Sequence, residues 1–216
     1  MVVTTRDRLV EAANRAFAEY GILGASLVEV TRQAGQRNRG AVHYHFGGRD
    51  ELLAAVLEQH VDFLAKREGE LLAVAKTHPD DDVASVLEAI VRPAVELAES
   101  GESGRNYLVI VGELIEQDPA TRNPAVEEML ARTGGYAVYE VLRGRVRTMD
   151  DELRSERFAL MTSFVLGSVA RRVRSQHPGG GDGRPLMETE RFVKNLVNMA
   201  AAMLDAPLVA ATTLSQ

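Results

Sequence analysis

The residues best suited to chemistry in this sequence are basic and lie close together near the N-terminus. The segment from residue 31 to residue 49 contains no acidic residue, and its charged and titratable side chains are Arg32, Arg37, Arg39, His43, Tyr44, His45 and Arg49. Guanidinium groups neutralise phosphate, and their planar fork matches the two acceptor atoms of guanine in the major groove. The segment therefore predicts a contact with nucleic acid, with a chance cluster of solvated charges as the alternative.

The charge of the whole chain argues against a nucleic-acid partner, because the net charge of the 216 residues is −6. The distribution of that charge is uneven. Residues 1–50 contain seven arginines and five acidic residues, which leaves 18 basic and 26 acidic residues in the remainder. This pattern favours a small DNA-binding head on an acidic body that repels DNA.

Other kinds of chemistry find little support in the sequence. Cysteine is absent, which excludes disulfides and thiolate metal sites. His43 and His45 are two residues apart, so on a helix they point in nearly opposite directions and do not share a metal ion. Glu113, Glu116 and Asp118 lack a Glu-x-x-His partner and are interpreted as a solvated helix end. We therefore predict no catalytic site, no metal site and no cofactor.

The sequence also argues against a membrane partner. The N-terminal residues lack the apolar segment of a secretory signal, and the longest apolar runs are far shorter than a bilayer span. We therefore expect a cytoplasmic protein.

Three short helices are predicted to position the basic segment. Apolar residues at helical spacing between Leu9 and Tyr20 indicate an amphipathic first helix, with Thr4 and Asp7 at its start and Gly21 at its end. The pattern Ser-Leu-Val-Glu from Ser26 to Glu29 predicts a capping box that opens a second helix ending at Gly35.

The third helix has only about two turns, with Asn38 as the predicted N-cap and Gly47-Gly48 at the end. Because so short a helix is unstable alone, we expect Val42 and Phe46 to pack it against the first two helices. Its outward face would then carry Arg39, Gly40, Ala41, His43 and Tyr44. This layout is typical of a helix-turn-helix DNA-binding unit.

The rest of the chain is helical in pattern and contains no alternating, strand-like segment. The predicted helices are 49–76, 82–99, 104–117, 124–148, 150–176 and 187–204, with a glycine-rich loop from His177 to Pro185. The sequence therefore predicts an all-α protein of about nine helices. It would comprise a helix-turn-helix domain at residues 1–48 and a helical ligand-binding and dimerisation domain at residues 49–216.

Three segments carry a family resemblance: GASLVEVTRQAG (24–35), AVHYHF (41–46) and GRDELL (48–53). Together they resemble the DNA-binding domain of the TetR family of bacterial regulators over roughly residues 5–53. One departure stands out, because the turn at Ala34-Gly35-Gln36-Arg37-Asn38 is one residue longer than is usual in the family. The resemblance implies a homodimer that binds palindromic operator DNA and releases it when a small-molecule ligand binds.

The resemblance also implies roles for individual residues. Arg39 would contact guanine, and the small Gly40 and Ala41 would allow close approach, with the Ala41 methyl group against a thymine methyl. His43, Tyr44 and His45 would touch the DNA backbone and groove, although packing inside the head is an alternative for Tyr44 and His45. Phosphate contacts are implied for Ser26 and Arg49 at helix N-termini. Arg37 and Asn38 belong to the longer turn, and whether Arg37 meets a phosphate or a base edge stays open.

Two apolar stripes near the C-terminus are either core or interface. In the TetR family these helices form a four-helix interface between subunits, and the resemblance implies that role here for Met161, Phe164, Val165, Ser168, Phe192, Leu196, Met199 and Met203.

The ligand itself is not evident from the sequence. We expect a mostly apolar pocket in which the conceivable polar anchors are Tyr107, Glu113, Tyr136, Tyr139 and Arg171. Two alternative functions are a helical enzyme or ligand-binding protein with a vestigial head, and a helical adaptor that recognises protein. The absence of a catalytic motif and the basic N-terminal segment disfavour them.

Overall fold

A computed structural model of the chain describes residues 3–117, 119–146, 149–175 and 186–207. Within these ranges the protein is all-helical, with a short 3-10 turn at Pro119–Thr121. The ten α-helices are α1 (Thr5–Tyr20), α2 (Leu27–Gln33), α3 (Ala41–Phe46), α4 (Arg49–Ala75), α5 (Val83–Ser100), α6 (Glu102–Ile115), α7 (Pro124–Arg132), α8 (Gly135–Arg145), α9 (Asp151–Ser175) and α10 (Thr189–Leu204). The predicted fold class is confirmed.

The start of α1 has the cap that the sequence predicts. Thr4 Oγ1 accepts from the Asp7 amide at 3.2 Å, and the Asp7 carboxylate accepts from the Thr4 amide at 2.9 Å. At α2 the predicted capping box is only half formed. Ser26 Oγ accepts from the Glu29 amide at 3.4 Å, but the Glu29 carboxylate turns outward and pairs with Arg32.

The third helix begins later than the sequence predicts. Gly40, rather than Asn38, is the N-cap of the six-residue α3. The side chain of Asn38 instead accepts from the Gly40 amide at 2.9 Å and so shapes the turn before the helix. The helix ends as predicted at Gly47, whose φ of +92° a residue with a side chain rarely adopts.

The body is built around α5, which packs against α4, α6, α8, α9 and α10. The 27-residue α4 joins the two parts of the protein, because it also packs against α1 and α3. Pro93 lies inside α5, and the helix continues through it. No helix in the described ranges is both long enough and apolar enough to cross a membrane.

One predicted helix, 124–148, is wrong, because α7 and α8 are separate and break at Thr133 and Gly134. The structure shows the reason. A Cβ atom on Gly134 would lie 2.7 Å from Cβ of Glu68, so the chain here packs directly onto α4. The predicted glycine-rich loop from His177 to Pro185 lies outside the described residues.

Candidate functional site

The outward face of α3 and the turn before it form the first candidate site. Exposed side chains on this surface are Arg37, Asn38, Arg39, His43, Tyr44 and His45. Tyr44 is 83% exposed and its ring meets the edge of the His45 ring at 5.0 Å, so the alternative that either residue packs inside the head is wrong. The opposite face is apolar, with Val42 buried and Phe46 partly buried against the core of the head.

His43 has a defined hydrogen-bonding state on this surface. Its Nδ1 lies 2.9 Å from the carbonyl oxygen of Gly47. A carbonyl only accepts, so Nδ1 carries the proton and Nε2 is left to face outward. The contact also fixes the ring against the end of α3.

Ala41 lies in the core of the head, whereas the sequence predicted it on the outer face. It is only 5% exposed and belongs to the core of the head, so its methyl group does not face outward as predicted. The reason is that α3 starts at Ala41 and packs against α2 and α4. Gly40, just before it, is partly exposed.

Ser26 and Arg49 lie at the N-termini of α2 and α4, as predicted. The Ser26 side chain is exposed, although its hydroxyl also caps α2. Arg49 is half-buried, and its guanidinium donates to the carbonyl oxygen of Ile22 at 2.5 Å. This bond ties the start of α4 to the turn between α1 and α2.

The second candidate site is a cavity of about 480 Å³ in the body. Its walls come from α4, α5, α6, α7, α8 and α9 and are mostly apolar. Tyr107, Tyr136 and Tyr139, three of the five predicted polar anchors, line it. The Tyr139 hydroxyl is hydrogen-bonded to Thr162, and the Tyr136 hydroxyl to Glu127. Burial raises the pKa of all three tyrosines, that of Tyr136 to about 12.

The other two predicted anchors, Glu113 and Arg171, do not line the cavity. Arg171 is exposed on α9. Glu113 points from α6 toward the head, where its two carboxylate oxygens accept from the Ile22 amide at 3.0 and 3.1 Å. The sequence gives no sign of this contact, because the two residues are 91 positions apart.

Two charged residues that line the cavity, Glu68 and Arg122, are not among those predicted from the sequence. A signal for Glu68 was present, since it lies between Leu64 and Leu72 at spacings of four on a buried helical stripe. Its side chain is 7% exposed, and its Oε2 has no hydrogen-bond partner in the described part of the chain. Burial raises the pKa of Glu68 to about 8, and the nearby Gly134 amide opposes this only in part.

Arg122, in contrast, is fully engaged by the protein. Its guanidinium donates to the carbonyl oxygens of Leu114 at 3.1 Å and Gln117 at 3.0 Å. It also pairs with the Glu127 carboxylate at 3.1 Å. The positive charge of Arg122 is therefore already balanced where it meets the cavity.

The predicted dimer stripes divide between core and surface. Met161 and Val165 are each 1% exposed and line the cavity, and Leu196 is also buried. These three residues lie inside the protomer because α9 and α10 pack their apolar stripes against α5. The remaining five are partly or fully exposed: Phe164, Ser168, Phe192, Met199 and Met203.

Comparison with protein families identifies the chain. A family model described as bacterial regulatory proteins of the tetR family matches residues 9–56. A second, described as the tetracyclin repressor-like C-terminal domain, matches residues 88–203, which is more than half of the chain. The protein belongs to the TetR family.

Curated relatives are similar to only part of this chain. The transcriptional regulator SrpR of Pseudomonas putida is 29% identical over 128 residues, which is 57% of this chain and 53% of SrpR. TtgR of Pseudomonas putida is 39% identical over 54 residues, 25% of each chain. The matched part of this chain therefore spans about half of SrpR and a quarter of TtgR.

Solved structures share the fold over nearly the whole chain. The HlyIIR mutant protein superimposes with a TM-score of 0.57 at 16% identity, over 90% of this chain and 93% of its own. AibR, solved with isovaleryl coenzyme A and operator DNA, gives a TM-score of 0.55 at 17% identity, over 91% and 97%. At such identities the likeness shows the fold alone.

Proposed function

We propose that this TetR-family chain is a transcriptional regulator that binds operator DNA as a homodimer and releases it when a small molecule enters the body. In this proposal residues 1–48 bind DNA, and residues 49–216 dimerise and hold the ligand. The observation that carries the proposal is the exposed, acid-free outer face of α3, mounted on a capped three-helix head. Its chemistry matches the phosphates and base edges of duplex DNA.

The exposed side chains suggest how the DNA contacts divide. Arg39, just before α3, is placed to meet a base edge in the major groove, with Gly40 allowing close approach. Arg37, Asn38 and the outward Nε2 of His43 are suited to phosphate or groove contacts, as are Tyr44 and His45. The N-termini of α2 and α4, at Ser26 and Arg49, favour phosphate because helix dipoles and unpaired amides attract anions.

The effect of ligand binding in the cavity would reach the head through α6 as well as α4. One side of α6 lines the cavity through Tyr107 and Val111, while Glu113 on the same helix binds the Ile22 amide in the head. Further along, the Asn106 side chain donates to that of Asn14 on α1 at 2.9 Å. A ligand that displaces α6 therefore shifts the head. Release also requires that the ligand bind the DNA-free state more tightly.

Dimerisation would use α9 and α10. Leu160 and Met199 are the large apolar side chains of these helices that remain about half exposed within one protomer, at 53% and 46%. Pairing these helices across a two-fold axis would bury both residues and present two α3 helices about 34–36 Å apart, on one side of the DNA.

Family membership supports a regulatory rather than a catalytic role, and the operator would be met in the cytoplasm. No three His, Cys, Asp or Glu side chains in the described part of the chain group in a way that could hold a metal ion.

The test uses the purified full chain and a library of random duplex DNA. We expect repeated selection to enrich a near-palindromic site, and affinity for that site to fall linearly with salt on a log–log scale because phosphate contacts release counterions. Failure to enrich any sequence would refute the proposal.

A further inference from the structure

Glu68 gives the cavity a chemical character that its apolar walls alone do not have. The side chain comes from α4 and is more than nine-tenths buried, and its Oε2 atom has no hydrogen-bond partner among the residues that the structure describes. Buried polar atoms in folded proteins are normally hydrogen-bonded, so an orphaned carboxyl oxygen in a cavity of about 480 Å³ calls for an explanation. Any role of Glu68 in binding rests on the proposed function of this cavity as the ligand site.

No free cation from the described cavity lining compensates Glu68. Among these described residues the one positive group is Arg122, which is occupied by Glu127 and two carbonyl oxygens. The other titratable groups there are Tyr107, Tyr136 and Tyr139, and burial raises the pKa of each, so they stay neutral. His60 packs on Tyr107 outside the lining, and burial lowers its pKa, which also favours its neutral form.

The rest of the lining is suited to a hydrocarbon body. Apolar side chains from five helices surround the space: Leu64, Ile90, Leu108, Val111, Leu130 and Phe158. Burial of apolar area in such a pocket favours binding, and a few polar groups then fix the ligand's orientation.

We propose that the ligand of this cavity is a hydrophobic organic amine, whose ammonium group donates to the free carboxyl oxygen of Glu68 while its apolar body fills the space between α5, α6 and α9. A positive charge beside Glu68 offsets the cost of ionising this buried carboxyl. Neutral and anionic ligands form no such charge pair, and an anion also repels the ionised form of Glu68.

Binding of an amine is coupled to loss of a proton from Glu68. In the empty cavity this carboxyl has a pKa of about 8 and is mostly protonated at pH 7. The ammonium binds the ionised form, so close to one proton is released for each amine bound at pH 7, and affinity rises by about tenfold between pH 6 and pH 7. The amine itself stays protonated throughout that range.

The test is isothermal titration calorimetry of the full chain, without DNA, with 4-phenylbutylamine, 4-phenylbutan-1-ol and 4-phenylbutanoate. These probes share one apolar body and differ in charge. We expect the amine to bind at least about tenfold more tightly than the alcohol, and the carboxylate to bind most weakly. Repeating the amine titration in buffers of different ionisation enthalpy measures the released proton.

Two variants complete the experiment. Glu68→Gln keeps the shape of the side chain and is expected to abolish both the preference for the amine and the proton release. Glu70→Gln, an exposed position on the same helix, is expected to retain both. A cooperative thermal unfolding transition shows that each variant is folded.

Several results would overturn the proposal: no binding of the amine, equal binding of amine and alcohol, a preference for the carboxylate, or a preference that survives Glu68→Gln. Failure of the regulatory function is distinguishable from these. If the amine binds as expected and no operator can be selected, the proposed ligand class is supported and the proposed DNA-binding function is refuted.

Discussion

The four arginines between residues 31 and 49 have different surroundings in the structure and therefore different roles. Arg32 is paired with Glu29 at 2.5 Å, and Arg49 is bonded to the Ile22 carbonyl oxygen. Arg37 and Arg39 are exposed and form no ion pair with any residue that the structure describes. These two are therefore the arginines most available to DNA.

Substituting Arg39 with Ala tests its assignment to a base edge. We expect operator affinity to fall by about 1–3 kcal/mol and discrimination at one base pair to be lost, because a bidentate contact to guanine would be removed. Fluorescence anisotropy against a set of singly altered operators measures both effects. Arg143→Ala, an exposed position on α8, is the control. Uniform weakening on every sequence would reassign Arg39 to phosphate.

Glu68 makes stability depend on pH. Its pKa is about 8 in the folded protein against an ordinary value of 4.5, so the folded state binds more protons between these limits and stability falls as pH rises through them. Relative to Glu68→Gln, we expect the wild type to lose about 1.4 kcal/mol per pH unit across this window. Urea unfolding of both proteins from pH 5 to pH 8 measures the difference, and parallel curves would show that Glu68 is not buried as described.

At the scale of elements, α6 contacts both the cavity and the head. Its link to the head is a hydrogen bond. The Glu113 carboxylate accepts from the Ile22 amide, which lies in the turn between α1 and α2. The sequence suggests a solvated helix end for Glu113, because its partner is distant in the chain.

Weakening this link should loosen the head. We expect Glu113→Gln to weaken the bond to the Ile22 amide by about 1–2 kcal/mol, since a charged acceptor is replaced by a neutral one. Hydrogen exchange at residues 21–24 should accelerate, and operator affinity should fall. Glu116→Gln at the exposed end of the same helix should change neither. Unchanged exchange in the Glu113 variant would remove α6 from the transmission route.

The break between α7 and α8 offers a test of close packing. Gly134→Ala is expected to destabilise the protein by about 1–3 kcal/mol, because the new Cβ would overlap Cβ of Glu68. Gly69→Ala is the matched control in the interior of α4, where an added Cβ meets nothing within 4 Å. It should stabilise the protein by up to about 1 kcal/mol. Equal thermal stability of the two variants would contradict the tight contact.

At the scale of the whole molecule, the proposed function depends on a second copy of the chain. Arginine at Leu160 or Met199 should shift the protein from dimer to monomer in sedimentation, because a charge would be buried at the pairing surface. Val74→Arg adds the same charge at an exposed apolar position of α4 and should leave the dimer intact. A dimer that survives both substitutions would place the interface elsewhere.

The sequence by itself determined most of the helices and the basic outer face of the head. Caps at Thr4 and Ser26, the end of α3 at Gly47 and the apolar spacing of α1 are local signals, and local hydrogen bonding acts on them directly. Exposure of the basic segment could also be predicted, because Val42 and Phe46 fix which face of α3 turns inward.

Only the tertiary structure decided which residues meet across the chain. It placed Ala41, Met161 and Val165 in the core, joined Glu113 to Ile22, and set Glu68 against Gly134 inside a cavity. Helical periodicity shows that a face is apolar but not whether a neighbouring helix of the same chain or a partner covers it. That choice depends on the packing of helices far apart in sequence, which no local pattern contains.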